Sequence, residues 1–365
     1  MGLYVRHGTL MREGKPYAGI GANYDTLFGR LVQNKDDSSS LTNLGLLAKK
    51  GIPFVRFRAG GFRPQNWQLY LQDRAEYFRR LDLVVHTAEQ HRIGLIPSLF
   101  WKLGTVPRLV GESPPQLGDP KSKSIAFIKR YTKEVVERYK DSPAIWGWEF
   151  GNEANLGVAL SPGGQNTERG FFSRDAETVE PEGGGRLTFE QLTNAYRTFA
   201  QTVRSIDASR VIDPGTSTPR PGAWHGAHGQ PRQRDSAAQT YEMLAMQTPD
   251  PMDLTSVHIY TKPRKLAPYG PETVSHFIAR FATAAAEGGK PLFIGEFPTQ
   301  NRAQANEYLE AIKQGHVPLS AFWVFDHASQ EAHMNISFEN DRSFVLDLVA
   351  AANRELGARP GGGSR

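Results

Sequence analysis

A two-part beat runs along this 365-residue chain: a short apolar run rich in β-branched and aromatic residues, then a longer amphipathic stretch. The apolar runs are Ala18–Asn23, Pro53–Arg58, Gly94–Trp101, Ala144–Phe150, Val211–Asp213, Leu254–Tyr260, Pro291–Glu296 and Leu319–Phe325. Each is too short for a helix and reads as a strand buried on both faces. Between them, Tyr77, Leu81, Val84 and Ala88 recur at helical spacing, as do Ile125, Ile128, Tyr131, Val135 and Tyr139. Phe189, Leu192, Tyr196, Phe199, Val203 and Ile206 form another stripe, and Val274, Phe277, Ile278 and Phe281 a fourth. Asp119-Pro120 reads as an N-cap with proline at the first helical position. Shorter helices are expected at Leu41–Lys50, Ala237–Met246, Gln304–Lys313 and Ser343–Glu355. About eight strand–helix beats without a break in composition predict one (β/α)₈ barrel. A doubly wound sheet would place a G-x-G-x-x-G turn after the first strand, and GIGANYDTLFG is not one.

The expected organisation is a hairpin over residues 1–16, turning at Glu13-Gly14-Lys15 and closing the barrel. The barrel itself follows over 17–357, and residues 358–365 form a disordered tail. Two connections are unusually long, Ala154–Leu187 and Pro214–Asp235. Both follow strands, so in a barrel both lie on the face where ligand-binding loops gather.

Composition removes several chemistries. With no cysteine there is no disulfide, no thiolate zinc site and no cysteine nucleophile. The net charge of +5 comes from scattered basic residues, which argues against a nucleic-acid partner. No apolar run approaches the ~20 residues of a membrane span. His225 and His228 in WHGAHG lie in a Gly-rich loop with no adjacent carboxylate, a poor metal set. Nothing resembles a phosphate loop or a nicotinamide fingerprint, so no metal or organic cofactor is expected.

Two strand ends carry the chemistry. The fourth run closes as AIWGWEFGNEAN, which puts Asn152 and Glu153 where a barrel strand opens onto its ligand face. The seventh closes as PLFIGEFPT and puts Glu296 at the equivalent position, three strands away and so across the same mouth. Paired carboxyl groups in one mouth suit glycoside hydrolysis, which needs an acid for the leaving oxygen and a base or nucleophile opposite. A strand's period of two turns His258 and Tyr260 of SVHIYTK inward and Val257 and Ile259 towards the helices. Arg56 and Arg58 of FVRFR share a parity, and Arg56 is the favoured active-site arginine.

GNE followed by IGEF resembles the retaining glycoside hydrolases of clan A, with glycoside hydrolase family 5 as the nearest match from about Tyr17 to Leu356. The resemblance implies Glu153 as acid/base, Glu296 as nucleophile and Asn152 as a ligand of the sugar 2-hydroxyl. Family members also carry an Arg on strand two, His-x-Tyr on strand six and a Trp on strand eight, matching Arg56, His258, Tyr260 and Trp323. Many members, cellulases especially, have a His near the end of strand three, where this chain reads IPSLFWKLG.

The expected function is retaining hydrolysis of β-linked mannan- or glucan-type chains by double displacement. Transglycosylation by the same residues and a barrel that binds glycans without cleaving them are the alternatives. Contacts to Arg56 and Tyr260 are expected to hold Glu296 ionised while Glu153 keeps its proton. Trp67, Trp101 and Trp224 are candidate sugar platforms, whereas Trp146 and Trp148 within strand four are read as structural. A carbohydrate substrate and a monomer are expected. No signal peptide is seen in MGLYVRHGTL, and the substrate class favours an extracellular or periplasmic location.

Overall fold

The computed structural model describes residues 2–61, 64–160, 186–230, 233–260 and 273–357, with backbone alone at 64–66. The expected tail at 358–365 and most of the Ala154–Leu187 connection lie outside the described residues.

The chain opens with three short antiparallel strands, β1 (Tyr4–Arg6), β2 (Thr9–Arg12) and β3 (Lys15–Pro16). The expected turn at Glu13-Gly14 is joined by a second at His7-Gly8. All four turn residues have positive φ, the backbone that two-residue hairpins need. Eight parallel strands follow: β4 (Gly19–Asn23), β5 (Phe54–Arg58), β6 (Gly94–Phe100), β7 (Gly147–Gly151), β8 (Val211–Asp213), β9 (Thr255–His258), β10 (Leu292–Pro298) and β11 (Leu319–Trp323). Each lies largely within one of the apolar runs, and their order is β8-β7-β6-β5-β4-β11-β10-β9.

Between β8 and β9 no ladder forms among the described residues. Asp253 and Leu254 amides instead donate to Ile212 O at 2.9 and 3.3 Å. Thr216 Oγ1 donates to Ser256 O (2.8 Å) and Thr218 Oγ1 to His258 O (2.9 Å). These bonds close the barrel at its shortest strand.

The connecting helices begin with α1 (Thr26–Gln33), α2 (Ser39–Lys50), α3 (Pro64–Gln72), α4 (Arg74–His91), α5 (Thr105–Leu109) and α6 (Lys123–Tyr139). They continue with α7 (Phe189–Arg204), α8 (Ala223–Ala227), α9 (Ala237–Met246), α10 (Val274–Glu287), α11 (Arg302–Gln314) and α12 (Phe344–Leu356). Among the described residues, no helix is long and apolar enough to cross a membrane. The N-cap expected at Asp119 falls instead at Ser122, whose Oγ accepts from Ile125 N at 3.1 Å. Asp119 closes the preceding turn, and Glu112 takes the free amides of Lys123 and Ser124 at 2.9 and 2.8 Å. The helix start therefore slips by one short turn.

Alternation along the strands builds two cores. Outward residues such as Ile20, Val55, Trp148, Phe150, Val257 and Ile294 pack against the helices. Inward residues Phe54, Ile96, Val211, Leu254, Phe293 and Leu319 join Trp146, Leu3 and Leu10 to plug the N-terminal end of the barrel. One step further along the same strands the inward positions turn polar: Ser98, Glu149, Asp213 and Ser256, all buried.

Candidate active site

Arg56 anchors the C-terminal mouth. It is fully buried on β5, and its guanidinium reaches four partners. Nε donates to Glu149 Oε2 (2.5 Å), Nη1 to Asn23 Oδ1 and Glu296 Oε1 (2.8 Å each), and Nη2 to Asn152 Oδ1 (2.8 Å). Burial opposes its charge, but Glu149 and Glu296 more than offset this and push it above the ordinary arginine range. Arg58, two residues on, instead pairs with Asp25 at 3.1 Å.

Glu296 is aimed by a break in the β10 ladder. Ile294 pairs with Val257 and Glu296 with His258, so Gly295 is the extra residue of a bulge. A Cβ on Gly295 would lie 2.7 Å from His258 Nε2, so the imidazole needs a glycine beneath it. Asn23 Nδ2 holds the bulge by donating to Gly295 O at 2.8 Å.

Glu153 sits on the opposite wall with φ 52°, a left-handed backbone rare for a side-chain-bearing residue. Its amide donates to Gly215 O at 2.8 Å. Gly215 passes so close to β7 that a Cβ would lie 1.8 Å from Gly151 O, so the loop after β8 reaches Glu153 only with glycine there.

His258 lies between the two acids, its Nδ1 3.1 Å from Glu153 Oε1 and 3.4 Å from Glu296 Oε1. Donor atoms of these three side chains fall within 4.8 Å of one another. Tyr260 donates its hydroxyl to Glu296 Oε2, although the residue as a whole is 37% exposed. Glu153 is the more open acid, with 19% of its side chain exposed against 4% for Glu296.

The surroundings of the two acids work against the expected ionisation order. Burial is the main cause that raises Glu296, and the charge of Glu153 raises it further, against His258, Arg56 and Tyr260. Burial also opposes the Glu153 charge, but His258, Lys102 and a hydrogen bond from Ser217 hold Glu153 below its usual value. Arg56 does less for Glu296 than expected because it is shared with Glu149. The two acids titrate as a pair, so sugar binding must favour the proton on Glu153 for an acid step there.

The tryptophans divide. Trp323 is partly exposed and fixed by Nε1 to Gln330 Oε1 at 2.9 Å. Trp101, expected as a platform, is only 3% exposed. It stacks under Trp323 with ring centroids 6.2 Å apart at 20°, and the Arg56 guanidinium lies 4.6 Å from its ring. Trp101 therefore supports the site from within. Trp67, also expected as a platform, is fully buried and bonds Thr105 Oγ1 at 3.1 Å. Trp146 and Trp148 are buried structural residues. Trp224 lies on α8, stacked on His228 at 3.9 Å.

The loop expected to lack a carboxylate for its histidines contains one: Asp235 accepts from His225 N (3.1 Å), lies 2.8 Å from His225 Nδ1, and accepts from Trp224 N (2.9 Å). It orders the loop as a cap.

Sequence reasoning missed Asn23, Glu149, Asp213 and Lys102. Lys102 follows Trp101 at the strand end that lacks the expected histidine. Burial lowers its ammonium, and Glu153, Glu296 and Asp25 lie near enough to sustain it. The inward parity of Glu149 within GWEFG was a signal available in the sequence.

Comparison with known proteins agrees with this geometry. The chain is 29% identical over 163 residues to mannan endo-1,4-beta-mannosidase F of Aspergillus fumigatus. That match covers 39% of this chain and 36% of the relative, little more than a third of its length. The endo-1,4-beta-mannanase structure from Rhizomucor miehei superposes with a TM-score of 0.70 at 17% identity, over 98% of this chain and 99% of that one. A glycoside hydrolase family 5 mannosidase from the same organism gives 0.66 at 12% identity, over 97% and 98%. These likenesses establish a shared barrel. The family model for Cellulase (glycosyl hydrolase family 5) matches residues 35–329, most of the chain, which therefore belongs to that family.

Proposed function

We propose that this chain is a retaining β-glycosidase of the mannan-degrading kind. The observation that carries the reading is the facing pair Glu153 and Glu296, joined through His258 with donor atoms within 4.8 Å. Direct attack by a carboxylate needs carboxyls about 5–5.5 Å apart, whereas an inverting enzyme leaves roughly 6.5–9.5 Å for a water. In the first step Glu296, oriented by Arg56 and Tyr260, attacks the anomeric carbon while Glu153 protonates the departing oxygen. In the second, water attacks the anomeric carbon as Glu153 takes its proton, and the bond from the sugar to Glu296 breaks. Asn152 accepts from Arg56 through Oδ1, which leaves its amide nitrogen for a sugar hydroxyl. Trp323, backed by Trp101, offers the indole face next to the cleaved bond.

β-1,4-Mannan is the first substrate to test, because the relatives named above act on mannan. β-Glucan is the second, on the family's description as a cellulase. A panel of defined β-mannans and β-glucans, with masses of products followed over time, separates them. Proton NMR of the first product, read before mutarotation, is expected to show the β-anomer; an initial α-anomer overturns the assigned mechanism.

A further inference from the structure

Beneath the facing glutamates lies a pair of acids with no part in the steps above. Glu149 on β7 and Asp213 on β8 are direct cross-strand partners, and both are buried. Arg56 satisfies Glu149 Oε2 at 2.5 Å. Glu149 Oε1 and both Asp213 oxygens find no donor in hydrogen-bonding geometry among the described residues, beyond a weak approach of the Gly215 amide to Asp213.

The groups around the pair are few. Arg56 comes from β5, Ser98 from β6 in register with Glu149, and the buried hydroxyl of Tyr196 from α7. Arg56 is the cation among them, and it is already divided between Glu149 and Glu296. Two adjacent carboxylates sharing part of one guanidinium in a dry interior cannot both stay ionised. One O–H placed between them would satisfy both acids at once. Glu149 already accepts from Arg56, which leaves Asp213 to carry that O–H. Burial and the Glu149 charge both push Asp213 well above the ordinary carboxylate range.

We propose that Asp213 is a positioning residue that keeps its proton at neutral pH and donates it to Glu149, so that Arg56 serves two carboxylates rather than three and holds Glu296. An ionised Asp213 would draw the guanidinium down and away from Glu296. The kinetic consequence rests on the nucleophile role proposed for Glu296, whereas the proton itself is observable without turnover.

Infrared difference spectra of the wild type and Asp213→Asn at neutral pH provide that observation. The carbonyl stretch of a buried protonated carboxyl is expected in the wild type and absent from the variant. Its absence from the wild type overturns the proposal, whatever the enzyme's activity. The asparagine amide donates the same bond without ionising. Asp213→Asn is therefore expected to keep kcat/KM within about threefold and leave the pH profile in place. Asp213→Leu strands Glu149 Oε1 and is expected to lower kcat about tenfold or more, with the limb that reports Glu296 moved upward. Equal losses in the two variants would overturn the proposal. Should the leucine variant not fold, the spectrum and the asparagine pH profile still decide.

Discussion

Two residues of one strand separate the two ends of the barrel interior. Phe54 packs with Trp146 and Phe293, ring centroids 5.8 and 6.4 Å away, in the apolar plug. Arg56, on the same face of β5, holds Glu149, Asn152 and Glu296. The same change recurs on β8, from Val211 to Asp213, and on β10, from Phe293 to Glu296 across the bulge. Burial is nearly complete at both ends, so solvent does not distinguish them. The apolar end gains by removing surface from water. The polar end carries desolvated charge that is tolerable only where it is paired, as Arg56 is with Glu149 and Glu296. Stability is gathered at one end and spent at the other, about two residues apart.

Substitution at each end should separate the two roles. Glu296→Gln is expected to lower turnover by at least about 10⁴-fold on every substrate, more than loss of an acid/base group, with the fold kept. Residual activity together with a collapsed melting temperature would place Glu296 in the structural half. Phe54→Ala is the mirror experiment. It should cost about 3–5 kcal/mol in urea unfolding, with unaltered kinetics in the folded fraction.

Glu153→Gln should lower kcat about 10²–10⁴-fold on polysaccharide but spare the first step on aryl glycosides whose leaving group needs no proton. The same variant should lose the alkaline limb of the pH profile. The acid limb, which reports the first ionisation of the pair, should lie below the ordinary glutamate value of 4.5, because burial at Glu153 is outweighed by His258 and Lys102. An acid limb above that value contradicts the ionisation order described above.

The smallest effect tests the rim. Burial opposes the Asp25 charge, but Arg58, His327 and Lys102 hold its carboxyl at about 2, below its ordinary value of 3.8. A lowered carboxyl contributes stability above its unfolded value and loses it as pH falls through its folded value. Asp25→Asn should therefore cost about 2 kcal/mol at neutral pH, and the gap should close as pH falls from about 4 towards 2. A gap independent of pH would assign Asp25 to packing alone.

Much of this was legible in the sequence because it repeats or alternates. Eight apolar runs carry the barrel strands, and strand parity turns His258 inward. Glu153 and Glu296 were legible because strand ends are where a barrel meets its ligand. Residues whose role depends on a distant neighbour were not legible. Trp101 follows a barrel strand, where a platform can sit, and only the three-dimensional stack shows Trp323 covering it. Asp235 stands 10 residues beyond His225 and meets it only when the chain turns back. Lys102 and Asp25 are ordinary charges in sequence and become a cluster only when β4, β5 and β6 end side by side. The pull of Arg56 on Glu296 is weaker than expected for a related reason, because Arg56 has a second carboxylate to serve, Glu149, that motif reading passed over.

The stacked indoles of Trp101 and Trp323 also have an optical consequence. Two near-parallel rings 6.2 Å apart form an electronically coupled pair, with the guanidinium of Arg56 against the inner member. Trp67, Trp146 and Trp148 are buried and held by fixed partners, Thr105, Arg12 and Asp207, so they are expected to change little when a ligand arrives. A sugar settling on Trp323 perturbs the coupled pair above a steady background. Near-ultraviolet circular dichroism of the inert Glu296→Gln protein thus becomes a label-free titration of occupancy beside the scissile bond.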